Sequence, residues 1–190
     1  MRKIILASTS PRRKELLEKA GLEVEVFPSS YEEDMTLPLT PGELAEFLSK
    51  GKALSVMKNF DDAIIISADT FVSFKGKIIG KPYTEDNAKI TLQTLSGNTH
   101  SVFTGFTIID TNDNKIISKV IETKVTFKNL TDEMIDEYIK NGNPLRYAGS
   151  YTLYDVIDTF IDRVEGDPLN VIGLPVEDVI ETLKEEFKLY

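Results

Sequence analysis

Apolar positions change their period several times along the chain, and each change marks an element. Ile4-Ile5-Leu6-Ala7 is a continuous apolar run of strand length. It leads through Ser8-Thr9-Ser10 into Pro11, where Ser10 suits the N-cap and proline the first helical position. Leu16, Leu17 and Ala20 then give a helix an apolar face until Gly21 stops it. Glu23 to Pro28 alternates acidic and apolar residues, as a half-buried strand does, and ends in the polar segment 29–34. Thr40-Pro41-Gly42-Glu43 has the spacing of a capping box and opens a helix whose apolar residues are Leu44, Phe47, Leu48, Leu54 and Met57. The unbroken run Ala63 to Ile66 reads as a strand covered on both faces, with Asp69-Thr70 just past it.

Farther on, Phe71 to Ile79 reads as a hairpin turning at Lys75-Gly76, and Gly80-Lys81-Pro82 closes it. Thr84 caps a helix to about Leu95. His100 to Asp110 and Lys115 to Phe127 are two long strands around the turn Asn112-Asp113-Asn114. Thr131 caps a helix carrying Met134, Ile135, Tyr138 and Ile139, ended by Gly142 and Pro144. Tyr147 to Leu153 is strand-like, Val156 to Arg163 fits either state, and Val176 to Phe187 is a last helix. Strands and helices mix without strict alternation, which predicts an α/β protein that is not purely doubly wound. A single domain over 1–190 is expected, with two small lobes as the variant.

Composition narrows the chemistry. With no cysteine and His100 as the one histidine, neither a thiolate nucleophile nor a zinc-thiolate or multi-histidine site can be built within one chain. Any metal is expected to be a hard divalent ion held by carboxylates, Mg²⁺ by preference or Mn²⁺. The apolar run at the N-terminus is too short for a signal peptide and no other segment is long enough to span a membrane, so cytoplasmic residence and no membrane partner are expected. The net charge of −9 argues against stable nucleic-acid binding, which calls for a broad positive field. Small anionic ligands need only a local cluster of cations.

Such a cluster is present. Arg12, Arg13 and Lys14 fall in the first turn of a helix, against the positive end of its dipole, at roughly 0.3 to 1 kcal/mol each when exposed. They are either surface cations beside an ordinary turn or the cradle of a multiply charged anion. Asp69 either caps a turn or acts as a general base at a strand end. Glu32 and Glu33 lie in an acidic loop, and one of them would complete a metal-holding pair if the fold brought it beside Asp69. Lys52 emerges beside the apolar face of its helix, with Leu48 and Val56 one turn either way; it either snorkels or points inward. Lys81 is held stiffly between Gly80 and Pro82. His100 reads as a structural histidine at a strand start. Walker A, G-x-G-x-x-G and G-x-S-x-G motifs are absent from the sequence.

Taken together, the segments Leu6-Ala7-Ser8-Thr9-Ser10-Pro11-Arg12-Arg13, Glu33, Lys52-Ala53, Ala68-Asp69-Thr70, Gly80-Lys81-Pro82, Leu95-Ser96-Gly97 with His100, Thr104-Gly105, Ala148-Gly149, Gly166-Asp167 and Val171-Ile172-Gly173-Leu174-Pro175 resemble the Maf family of nucleoside triphosphate pyrophosphatases, also called septum formation proteins. The resemblance implies an elongated mixed β-sheet flanked by helices, in two lobes with a central cleft, similar to the inosine triphosphate pyrophosphatase fold. It implies metal-assisted hydrolysis of a nucleoside triphosphate between the α and β phosphates, in a role of nucleotide-pool housecleaning. Asp69 would be the proton acceptor, Glu33 the second metal carboxylate with Glu32 as fallback, and Ser8, Arg12, Arg13, Lys52 and Lys81 the phosphate-binding set. Arg12 and Thr70 resemble the dTTP- and UTP-preferring subgroup. In that subgroup a glutamine stands where this chain has Tyr154, so base reading falls to a different side chain. A homodimer is also suggested by the resemblance. The non-enzymatic alternative is a nucleotide- or partner-binding regulator of cell division.

Overall fold

Strand β1 (Lys3–Leu6) runs parallel to β2 (Glu25–Val26) on one side and to β3 (Ala63–Phe74) on the other. Its register sets Ile4, Ile5 and Leu6 against Ile64, Ile65 and Ile66, so two apolar runs 60 residues apart become neighbours. Ile5, Leu6 and all three isoleucines of β3 are fully buried, which is why both runs are continuous and not alternating. In this computed structural model, which describes residues 2–189, seven strands form one mixed sheet. The order is β2-β1-β3-β5-β6-β7, with β5 at Thr99–Asp110, β6 at Lys115–Phe127 and β7 at Ile161–Glu165, while β4 (Lys77–Ile79) returns antiparallel on β3.

The chain divides into two compact units. The first comprises Met1–Thr70, Thr104–Ile121 and Gly173–Tyr190. Here α1 (Pro11–Lys19) buries Leu16 and Leu17, and α2 (Pro41–Met57) opens with the predicted capping box, Thr40 and Glu43 bonding each other's backbone N–H. A core of Ile5, Ala7, Ala53, Val56, Ala63, Ile65 and Ile109 lies between α2 and the strands. The buried face of α2 differs from the expected one. Leu44 and Leu48 point inward, but they are joined by Ala45, Ser49, Ala53 and Val56, while Phe47 and Leu54 stand exposed. The reason is close approach: a Cβ on Gly105 of β5 would lie 2.3 Å from the Ala45 carbonyl carbon, so β5 lies against the helix backbone at Ala45 and leaves no room there for a large side chain. Ser49 is satisfied there by Thr107, 2.9 Å away. The last helix, α7 (Val176–Phe187), buries Val176, Val179, Thr182, Leu183 and Phe187.

The second unit comprises Phe71–Phe103 and Glu122–Ile172. Helices α3 (Glu85–Leu95) and α4 (Asp132–Asn141) start at Thr84 and Thr131 as the sequence predicts and are bridged by Lys89–Asp136 and Gln93–Asp132. Its core is aromatic, with Phe127 stacked edge-on against His100, Tyr151 and Phe160. His100 bonds the Tyr151 hydroxyl at 2.7 Å, the structural role expected of it.

Three segments depart from expectation. The stretch 147–153 is no strand: it follows a short 3-10 turn at Pro144–Arg146, holds another at Ala148–Ser150 and runs into α5 (Leu153–Val156). Gly149 and Ser150 both have positive φ, 69° and 65°, which a strand cannot accommodate. The half-buried strand predicted over 23–28 shrinks to two exposed residues, Glu25 and Val26. Finally, β3 does not stop at Ile66 but continues to Phe74, so Asp69 and Thr70 lie within a strand, at the level where β1 has already turned away at Ala7. A five-residue helix, α6 (Pro168–Ile172), completes the second unit.

Candidate active site

All but two of the expected site residues belong to the first unit, and hydrogen bonds tie most of them into two linked groups. The first is built on Lys52. Its ammonium lies 2.7 Å from Glu33 Oε1 and 2.5 Å from Asp69 Oδ2, so α2, the 29–39 loop and β3 meet at one cation. The lysine therefore points inward, with its side chain 15% exposed and that of Asp69 11% exposed. Asp69 is fixed at both oxygens, because Oδ1 accepts the Thr70 N–H at 3.0 Å. Of the two loop glutamates, Glu33 is the one that reaches the cluster.

Glu33 reaches Lys52 because the loop is anchored on α2. The Ser29 hydroxyl pairs with Ser55 at 2.8 Å, and the Tyr31 ring lies on Gly51, where a Cβ would sit 2.4 Å from the ring. Glycine in a helix interior costs about 1 kcal/mol relative to alanine. That unexplained Gly51, one residue before Lys52, was the signal in the sequence for a segment crossing the helix. Tyr31, Gly51, Ser29 and Ser55 were not among the expected site residues.

The second group is built on Arg13. Its guanidinium donates to Gly173 O (2.8 Å), Ala68 O (2.8 Å), Ser8 Oγ (3.3 Å) and Thr70 Oγ1 (3.0 Å). The fork thus holds β3 on both sides of Asp69 and ties it to the turn after β1. Burial lowers the basicity of Arg13, and Arg12 adds to the effect, while the charges of Asp69 and Glu33 oppose it. Thr70 Oγ1 also meets Thr104 Oγ1 at 3.0 Å and Gly173 O at 3.3 Å, so its orientation is set from several directions. Ser8 Oγ accepts from Arg13 and from the Ser10 N–H at 3.1 Å, which leaves its hydroxyl proton to donate. Ser10 holds the N-cap position of α1 but makes no side-chain cap bond; Ser8 serves that turn instead.

The basic turn thus separates into distinct parts. Arg13 turns into the protein, Lys14 pairs with Glu18 along the helix at 3.4 Å, and Arg12 is half-buried. Lys81 and Tyr154 belong to the second unit. Lys81 is exposed beside Gly80, whose carbonyl accepts from Gly149 N–H at 3.2 Å, and Tyr154 is 55% exposed on α5.

Fold and cluster together define an α/β protein whose central carboxylates are arranged around a positive charge. The family model described as Maf-like protein matches residues 3–186, and the chain belongs to the Maf family. Curated relatives include a dTTP/UTP pyrophosphatase of Bacillus cereus, 44% identical over 185 residues (97% of this chain and 96% of the relative). Another is a dTTP/UTP pyrophosphatase of Thermoanaerobacter, 44% identical over 186 residues, 97% of each chain. Among solved structures, the Ham1 protein of Staphylococcus aureus aligns with a TM-score of 0.41 at 16% identity, covering 69% of this chain and 73% of that one.

Proposed function

We propose that this protein hydrolyses nucleoside triphosphates, dTTP and UTP foremost, between the α and β phosphates, releasing a nucleoside monophosphate and pyrophosphate, with Mg²⁺ as its divalent ion and Mn²⁺ as a substitute. The observation that carries this reading is the convergence of Glu33 and Asp69 on the Lys52 ammonium, in a chain whose close relatives bear the name of that activity. Two carboxylates already gathered around one cation offer the hard oxygen donors that Mg²⁺ selects, so the residues fit the metal. When bound, Mg²⁺ supplies positive charge that polarises the phosphate oxygens.

Asp69 accepts the proton of the attacking water. Its carboxylate is held from two sides, so little reorganisation accompanies the proton transfer. Glu33 shares the metal-binding duty. Lys52, Arg12, Lys81 and the Ser8 hydroxyl neutralise or bond the phosphate oxygens. Arg13 fixes the strand that carries Asp69 and Thr70, and it does so with donors that a phosphate would otherwise claim. Thr70 and Arg12 favour thymine and uracil nucleotides, while Tyr154 offers one hydroxyl and a ring face to the base. The setting is the cytoplasmic nucleotide pool.

A panel of dTTP, UTP, CTP and purine triphosphates with Mg²⁺ tests the proposal. The expected result is pyrophosphate release, fastest from dTTP and UTP. Purine preference would overturn the base assignment, and nucleotide binding without turnover would favour the regulatory alternative.

A further inference from the structure

The position of the Lys52 ammonium is unusual for a residue assigned to substrate phosphates, because it touches two acids and fills the space between them. Glu33 Oε1 and Asp69 Oδ2 each lie within 2.7 Å of Nζ. These are the two carboxylates that the proposed function gives to the divalent ion, so ammonium and metal compete for the same oxygens. Lysine is suited to exchange places with a metal: it is a compact point charge on a stem of four single bonds, able to swing without moving its helix. Glu33 can follow, since its side chain is 43% exposed on the loop. Asp69, held by the Thr70 N–H, stays in place.

We infer that Lys52 is a built-in place-holder for the divalent ion. In the nucleotide-free protein it neutralises Glu33 and Asp69 and keeps bare metal out. A polyphosphate arriving with its metal offers the ammonium a new anionic partner, and the two carboxylates become available at that moment. Metal binding and nucleotide binding are thereby coupled, and the acids do not face one another uncompensated at any stage. A partly buried carboxylate pair without a counter-ion would be costly, which gives the lysine its second duty. This inference rests on the assignment of the metal to Glu33 and Asp69, but not on which nucleotide is cleaved.

The test is a calorimetric titration of nucleotide-free protein with Mn²⁺ at about pH 8. Wild type, Lys52→Met and Lys52→Gln are compared. Both variants are expected to bind Mn²⁺ about tenfold more tightly or better, the scale for removing a unit charge about 4 Å from a divalent ion even in a water-like dielectric. Adding Glu33→Gln should cancel the gain. Equal or weaker binding in the variants overturns the inference. A second measurement needs no variant: in ¹⁵N-lysine-labelled wild type, Mg²⁺ alone should leave the Lys52 ammonium resonance in place, whereas Mg²⁺ with an uncleavable triphosphate should shift it. Displacement by Mg²⁺ alone also overturns the inference. Turnover of dTTP in the same preparation separates the two ideas, because active wild type with untightened variants defeats the place-holder and leaves the proposed reaction standing.

Discussion

The guanidinium of Arg13, expected to meet phosphate, is also bonded by the protein itself. Three cations at a helix start point to an anion, yet the guanidinium of the middle one bonds four protein oxygens. Lysine keeps the charge but cannot reproduce a planar fork across Ala68, Thr70, Ser8 and Gly173. Arg13→Lys is therefore expected to lower kcat about a hundredfold through misplacement of Asp69, with a smaller change in KM. Steady-state kinetics decides: a raised KM with kcat intact would return Arg13 to the phosphates. His100 gives a prediction of a different kind. Burial depresses its pKa from 6.5 to about 4, so the native state holds it neutral while the unfolded chain takes up a proton. Its contribution is complete above about pH 6.5 and is lost as the pH falls toward 4, roughly 2 kcal/mol between pH 7 and 5. Denaturant melts at the two pH values should show that loss in wild type and a smaller one in His100→Gln.

At the scale of elements, capping chemistry was the most legible signal. Thr40, Thr84 and Thr131 each begin a helix where their side chains predict one, because an N-cap bond is local and owes little to the rest of the fold. Burial faces were less legible. Phe47 and Leu54 fit the apolar period of α2, yet the helix turns its small residues inward because Gly105 brings a strand against its backbone. The segment 147–153 reads as strand only until the left-handed φ of Gly149 and Ser150 is known, and no periodicity encodes that. Gly51 makes the element-scale prediction. An added methyl would push the Tyr31 ring off α2 and with it the loop that presents Glu33. Gly51→Ala is expected to raise the Mg²⁺ concentration needed for half-maximal rate several-fold, while helix propensity offsets much of the effect on melting temperature. An unchanged metal requirement would detach Tyr31 from the site.

Across the whole molecule, each unit has a core of its own, aliphatic in the first and aromatic in the second, and the family match runs through both. The clustered residues Ser8, Glu33, Lys52, Asp69 and Thr70 were all legible in the sequence as candidates, but their convergence was not. Spacing along the chain carries no information about a loop that crosses a helix, or about a strand that continues past its partner and so presents Asp69 beside Lys52. The acidic surplus behind the net charge of −9 makes that local arrangement matter more, since the protein as a whole repels a nucleoside triphosphate. The most direct measurement is ³¹P NMR of dTTP incubated with Mg²⁺ and either wild type or Asp69→Asn. Wild type should yield dTMP and the single resonance of pyrophosphate, and the variant, folded by its melting curve, should be slower by about 10²- to 10⁴-fold. Orthophosphate with dTDP, or an Asp69→Asn protein as fast as wild type, would contradict the account.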